Sequence, residues 1–197
     1  HGVMNTDNTA ISGETIDYGP CAFMDHYNPK TVFSSIDKLG RYSFSNQPPI
    51  IKWNLSRFAE CLIPLIDKNE DVSIKIANES IDNFQKIYET KWLNMMRDKL
   101  GLFSEDKGDK TLIDDLLSWM EINKADYTNT FCHLMNFKVH NKEIYKDENF
   151  VRWSNKWQKR VLINNDSKKK YLNLMKISNP IVIPRNHKVE EALAEAN

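Results

Sequence analysis

Glycine is scarce in this chain, at six residues of 197. The six lie too far apart to form G-x-G-x-x-G or G-x-x-x-x-G-K-[ST], so no segment offers the backbone nest that cradles a triphosphate. Cysteine is scarcer still. Cys21, Cys61 and Cys132 are too few and too scattered for a disulfide framework or a zinc motif, and an odd number leaves at least one thiol free or paired with another chain. A reducing cytosol is the simplest setting, and a cytoplasmic location is the expectation. No run of about 18 apolar residues is present and no basic-then-apolar leader, so neither a membrane span nor a signal peptide is expected. Neither sign of charge is in excess: 27 basic and 27 acidic residues leave a formal net charge of zero. No global field then favours nucleic acid or an anionic membrane, and partners must be recognised locally. The five histidines are dispersed, and neither His133 with His140 nor His26 has the i, i+4 partner of a zinc helix.

What is present is ordinary globular material, 41% hydrophobic and 27% charged, enough for a sizeable core. Pro48 and Pro49 suit a helix first turn, and the apolar residues that follow to Ile63 recur at three-to-four spacing. A second helix is predicted over 71–100, with Ile74, Ile81, Phe84, Ile87, Tyr88 and Trp92 on one face and Gly101 as its stop. Shorter helices are predicted over 110–122, 128–137, 148–162, 167–176 and 188–196. Asp126-Tyr-Thr-Asn-Thr reads as a helix entry, because Asp or Thr can accept from the free amides of a first turn. Trp119, Phe150, Trp153 and Trp157 have the helical spacing of a core or a protein contact surface in preference to a base-stacking platform. Lys168-Lys-Lys170 reads as a solvated face, and no nucleic-acid partner is expected.

The chemistry-bearing residues crowd the first segment. His1-Gly-Val-Met-Asn-Thr-Asp-Asn8 and Asp17-Tyr-Gly19 are arranged like the metal-binding half of a kinase-type site, in which His-Arg-Asp is followed five residues on by Asn and later by Asp-Phe-Gly. Val3 stands in the slot of the kinase base, and Val can neither accept a proton nor bind metal. A carboxylate reappears at Asp7, beside Asn8, and Asp17 opens an Asp-Tyr-Gly variant of the second motif. Two-metal phosphoryl or nucleotidyl transfer needs hard oxygen ligands and a carboxylate that orients the attacking hydroxyl. The competing reading is turn chemistry, for which Asn and Asp are equally suited. Thr9-Ala-Ile11 and Thr15-Ile16 flank the turn signal Ser12-Gly13-Glu14, so a small hairpin is predicted that would set Asn8 beside Asp17. Arg41 has two readings, a clamp for phosphate or acceptor and a carboxylate partner that holds its loop.

Three further stretches, Asp17-Tyr-Gly-Pro-Cys-Ala-Phe-Met-Asp25, Gly40-Arg-Tyr-Ser-Phe-Ser-Asn-Gln-Pro48 and Trp53-Asn-Leu-Ser-Arg-Phe-Ala59, join the opening motif. With Lys124-Ala-Asp-Tyr-Thr-Asn-Thr-Phe131, Asn179-Pro180 and Pro184-Arg-Asn-His187, they closely resemble the selenoprotein O family, the bacterial YdiU proteins. The resemblance implies a pseudokinase-fold enzyme that transfers AMP from ATP to hydroxyl side chains of other proteins. It implies Asp7 as the base, Asn8 and Asp17 as ligands of Mg2+ or Mn2+, His1 as a brace of the catalytic loop, and ATP held so that the α-phosphate faces the acceptor and pyrophosphate leaves. The fold class expected is mainly α with a small β-hairpin, the C-terminal lobe of a protein-kinase-like fold. Residues 1–45 would be the catalytic, metal-binding and activation-like segment, and 46–197 the helical C-lobe of the same domain. The family's Gly-rich segment, phosphate-contacting Lys and its Glu partner belong upstream of the His-Gly motif, so a longer parent protein with an N-terminal lobe is expected. Two alternatives stay open at this point: a non-catalytic pseudokinase scaffold, and a conventional phosphotransferase with a displaced base.

Overall fold

The computed structural model describes residues 2–15, 22–163 and 168–196. Seven α-helices are found among them: α1 (Gln47–Ile66), α2 (Glu70–Lys99), α3 (Asp109–Ile122), α4 (Tyr127–Leu134), α5 (Glu148–Leu162), α6 (Lys168–Ser178) and α7 (Asn186–Glu195). Short 3-10 turns cover Thr6–Asn8, Phe44–Asn46 and Lys142–Lys146. The chain divides into two compact units, His1–Ala22 with Pro29–Lys91, and Phe23–Asn28 with Trp92–Asn197. The predicted hairpin is not formed by the described residues. Ile11 and Ser12 make a tight turn closed by the Gly13 N–H on the Ala10 carbonyl, and Ile16 lies outside the described residues. The single β pairing among the described residues is an antiparallel bridge between His26 and Asp126.

Local chemistry sets the helix ends. Pro48 and Pro49 occupy the first turn of α1, where a missing N–H costs nothing. The Asn69 side chain accepts from the Asp71 N–H at 3.0 Å at the start of α2, and Glu70 and Asp71 at that end with Arg97 and Lys99 at the other complement the helix dipole. Four of the six residues on its predicted apolar face, Ile81, Phe84, Tyr88 and Trp92, are partly buried, whereas Ile74 and Ile87 are exposed. Three helices end in the same way. The N–H groups of Gly101 and Leu102 return to Asp98 and Arg97, those of Lys124 and Ala125 to Glu121 and Met120, and those of Asn136 and Phe137 to His133 and Cys132. This is the Schellman closure, which needs a left-handed residue; Gly101, Lys124 and Asn136 supply it at φ of 72°, 50° and 62°. The closure at Asn136 stops α4 at Leu134, three residues short of the predicted Phe137.

The second unit carries a continuous core built on Met96, Leu100, Ile113, Leu116, Met120, Phe131 and Met175, all essentially inaccessible. The tryptophans flagged in the sequence belong to it, and each indole N–H is satisfied. Trp119 donates to the Asp147 carboxylate at 2.7 Å, Trp153 to the Leu112 carbonyl at 2.7 Å and Trp157 to the Leu100 carbonyl at 2.9 Å. Asp147 also caps α5 through the Asn149 and Phe150 amides. Two ionic nodes cross this unit. Asp109, fully withdrawn from water, accepts from Arg97 Nε at 2.8 Å, Arg160 Nε at 2.7 Å and the Asp106 N–H at 2.9 Å. Burial pushes its carboxyl up, but the bonds from Arg160, Asp106 and Arg97 outweigh that and hold it below the usual range. Arg185 bridges the carboxylates of Asp25 and Asp126, the latter at 2.6 Å, and these bonds raise its own pKa. Asp126 caps α4 at the Asn129 N–H with the same carboxylate, so the predicted helix entry is formed.

Lys99 is the least comfortable charge. It is 8% exposed, its Nζ reaches the Ser178 carbonyl only at 3.5 Å, and it lies over the Phe131 ring at 4.6 Å. Burial pushes its pKa down from 10.5 to about 8.

Two expectations follow. Asp109→Ala strands two guanidinium groups and should cost about 3–5 kcal/mol, read by urea unfolding against the parent sequence. Between pH about 8 and 10.5 the unfolded chain holds the Lys99 proton more often than the folded one, so stability should rise with pH across that window. Lys99→Met should be more stable than the parent below the window and should lack this rise, measured by urea unfolding on either side of it.

Candidate active-site loop

Asn5 to Thr9 forms one knotted loop in the first unit. The Thr6–Asn8 turn is capped by Asn5, whose Oδ1 accepts from the Asn8 N–H at 3.1 Å, as expected of an Asn preceding a helical turn. The Thr9 hydroxyl donates back to the Asn5 carbonyl at 3.0 Å, and the Thr9 N–H to Thr6. With the backbone closed in this way, Asp7 and Asn8 both stand exposed. No hydrogen bond or ion pair from any described residue holds the Asp7 carboxylate. The Asn8 Nδ2 donates to the Val3 carbonyl at 2.9 Å, which leaves Oδ1 as the end of the amide free of that bond. An exposed carboxylate next to a hard carbonyl oxygen fits the donor chemistry of Mg2+ or Mn2+. Among the described residues no three His, Cys, Asp or Glu side chains gather closely enough to share a metal; the set inferred from the sequence pairs the amide of Asn8 with Asp17, and Asp17, like His1 and Cys21, lies outside the described residues.

The loop is fixed from two sides. Gly2 is buried against the 33–34 backbone: a Cβ there would stand 2.5 Å from Phe33 Cβ, 2.7 Å from the Phe33 carbonyl carbon and 2.9 Å from the Ser34 nitrogen. Those neighbours are mainly main chain and cannot swing aside, so the second residue of the His-Gly motif is a packing requirement. From α1, the buried Asn54 side chain donates to the Met4 carbonyl at 3.0 Å and to Thr9 Oγ1 at 2.8 Å.

The segment that follows is a closed loop. Phe44 and Ser45 donate their N–H groups to Thr31 and Pro29, and the buried Asp37 carboxylate takes the Arg41 and Tyr42 N–H groups at 2.8 Å each. Gly40, at φ +67°, makes the turn between them. Arg41 thus serves the loop through its main chain, while its guanidinium lies over the Trp53 ring at 5.1 Å; Arg57 lies over the same ring at 5.4 Å. Trp53 is 43% exposed.

Asp7 and Asn8, neighbours in the chain, lie on the same turn, with Arg41 in the same unit; the expected pairing of Asn8 with Asp17 lies outside the described residues. Gly2, Asp37 and Asn54 were not singled out from the sequence. Asn54 carried a usable signal: it lies four residues after Ile50, and these two are the buried residues of α1, so an amide occupies an otherwise apolar stripe. A separate concavity in the second unit, lined by Asp115, Trp119, Ile122, Arg152, Trp153 and Lys156 among others, contains none of the candidate site residues. No helix among the described residues is long and apolar enough to cross a membrane.

The model of the family described as "Protein adenylyltransferase SelO" matches residues 1–197. Curated relatives called "Protein nucleotidyltransferase YdiU" are similar along the whole length. The chain is 65% identical to that of Pelagibacter ubique over 197 residues, 100% of this chain and 41% of the relative. It is 55% identical to that of Clostridium beijerinckii over 196 residues, 100% of this chain and 40% of the relative. It is 52% identical to that of Nitrosococcus oceani over 193 residues, 98% of this chain and 39% of the relative. The chain therefore spans about 40% of the length of the curated relatives it matches.

Gly2→Ala forces a main-chain shift and should lower the stability of the first unit by about 1–3 kcal/mol; faster amide exchange at residues 31–35 and in the Asn5–Thr9 loop, read by mass spectrometry, is the expected sign.

Proposed function

The chain belongs to the protein adenylyltransferase SelO family, and from that premise we propose that it supplies the C-lobe part of a nucleotidyltransferase that moves AMP from ATP to Ser, Thr or Tyr hydroxyls of other proteins. The observation that carries this reading is the pairing of an exposed Asp7, without a hydrogen-bond or ionic partner among the described residues, with Asn8 on a loop whose backbone is closed by its own side chains. A solvated carboxylate on a fixed backbone can meet an incoming hydroxyl without first breaking a bond of its own, which is how positioning lowers a barrier.

In this reading Asp7 accepts the proton of the acceptor hydroxyl as the hydroxyl oxygen bonds to the α-phosphorus. The bond from that phosphorus to the bridging oxygen breaks, and pyrophosphate leaves. Asn8 Oδ1 and the Asp17 carboxylate would hold Mg2+ or Mn2+, with the Val3 carbonyl fixing which end of the Asn8 amide is offered. When bound, the cation supplies charge neutralisation for the triphosphate and its leaving group. The chain has no Gly-rich phosphate cradle of its own, so the remaining phosphate contacts would come from an N-terminal lobe of the whole protein. Arg41, which lies over Trp53 in the same unit, would meet an anionic group of nucleotide or acceptor.

Incubation of the whole protein with metal and ATP labelled in turn at the α- and γ-phosphate tests this. Incorporation of α-label alone is expected. Transfer of γ-label would mean a conventional phosphotransferase, and no transfer of either would favour a non-catalytic scaffold. Asp7→Ala should lower α-label transfer by about 10²–10⁴-fold while metal–ATP binding is largely kept, whereas Asp17→Ala should weaken that binding; a fully active Asp7→Ala protein would remove Asp7 as base.

A further inference from the structure

Asn54 sits on α1, 4% exposed, in the Trp-Asn-Leu-Ser-Arg stretch to which the proposed chemistry assigns no role. Both N–H groups of its amide are spent on the candidate loop. One goes to the Met4 carbonyl at 3.0 Å and the other to Thr9 Oγ1 at 2.8 Å, so a single side chain grips the backbone before Asp7 and the hydroxyl after Asn8. Thr9 passes the bond on: accepting from Asn54, it donates its own proton to the Asn5 carbonyl at 3.0 Å, and Asn5 in turn holds the Asn8 N–H. The chain of bonds from α1 to Asn8 is unbroken.

The other end of the amide has no such use. Asn54 Oδ1 is buried and has no hydrogen-bond partner among the described residues, an arrangement that costs stability because the carbonyl gave up water for nothing. A leucine, branched at the same carbon, would avoid that loss, so the amide is explained by its two donors and by what they hold. Asn179 shows the contrast. Its amide also spends both N–H groups, on the Lys99 and Met175 carbonyls, and its Oδ1 has no partner among the described residues, but it ties two helix ends, and neither of those bonds goes to a candidate site residue.

We propose that Asn54 is a positioning residue of the transfer reaction, a double anchor that fixes the Asn5–Thr9 loop so that Asp7 and Asn8 keep their mutual placement. The inference rests on the adenylyltransferase reading for its kinetic consequence and on the hydrogen-bond geometry alone for its structural one. Asn54 touches neither nucleotide nor acceptor; it acts through Thr9 and the Met4 carbonyl.

The test compares the whole protein with Asn54→Leu, Thr9→Val and the double variant. Asn54→Leu should lower kcat for α-label transfer about 10–100-fold, the effect of small misplacement of reacting groups, with little change in KM for ATP. Thr9→Val should lower kcat less, and the double variant should be no worse than Asn54→Leu, since the two act in series. The amides of Asn8 and Thr9 should exchange faster in Asn54→Leu. Unchanged kcat, or losses that simply add, would overturn the proposal. If the wild type transfers neither label, the adenylyltransferase reading fails by itself; loop exchange then decides the anchor, faster exchange supporting it and unchanged exchange sinking it. Should Asn54→Leu not fold, Asn54→Ser keeps a small neutral polar side chain that can supply at most one of the two donors, and a loss of kcat in the same direction is expected of it.

Discussion

The carboxylate of Asp109 is the constraint on which the second unit depends. A charge withdrawn from water is tolerated only when opposite charge and hydrogen bonds meet it from several sides. Here they come from Arg97 near the end of α2, from Arg160 near the end of α5 and from the main chain just ahead of α3. Three elements distant in sequence must therefore converge before the ion can be buried at all. The apolar side chains between those helices supply most of the burial, but they would accept small slips along the helix axes. The fork geometry of two guanidinium groups on one carboxylate does not. Tryptophan repeats the device at lower charge: three indole N–H groups each find one acceptor, buried carbonyls for Trp153 and Trp157 and the partly exposed Asp147 carboxylate for Trp119, and each fixes a register between elements.

In the first unit the same role falls to neutral amides and to backbone. Asn54 and Asn5 hold the candidate loop, Asp37 holds the turn that leads to α1, and Gly2 admits the close approach of the 33–34 backbone. Side chains that serve as struts are kept distinct from those left free for chemistry. Asp7 has no structural duty among the described residues, and Asn8 uses only one end of its amide. This division of labour is what makes an exposed, polar, short loop definite enough to be read as a site.

Helix existence was legible in the sequence because apolar spacing and Pro, Asp and Gly signals coincide there. The α1 entry at Pro48, the α2 stop at Gly101 and the α4 cap at Asp126 all follow from local chemistry. The errors also have local causes. Asn136 took the left-handed place that ends α4, a role shared by Gly, Asn and here even Lys124, so composition alone does not mark it. Thr9-Ala-Ile11 had strand propensity but no partner strand among the described residues; the Thr9 hydroxyl closes the preceding turn and the Ala10 carbonyl the following one. Ile74 and Ile87 matched the helical period yet remain exposed, because period specifies a face and not what covers it. Of the candidate site, Asp7 and Asn8 were readable as chemistry-bearing types; Asn54 left only the trace of an amide in an apolar stripe, its partners lying 45 and 50 residues away, and Asp37, which binds amides four and five residues on, looks like any turn carboxylate. Several stretches that carried the family resemblance prove to be struts of this kind: Asp25, Asp126 and Arg185 join three of them in one ion cluster.

The tryptophans have a consequence for observing this molecule. Four of the five, Trp92, Trp119, Trp153 and Trp157, belong to the second unit, where three are buried with their N–H groups bonded. Trp53 is the sole indole of the first unit, partly solvated and overlaid by two arginines. From that exposure its emission should lie to the red of the buried set and be open to a solution quencher. The chain thus carries a built-in optical label on the helix turn that also bears Asn54, and a Trp53→Phe protein supplies the spectrum of the other unit by itself.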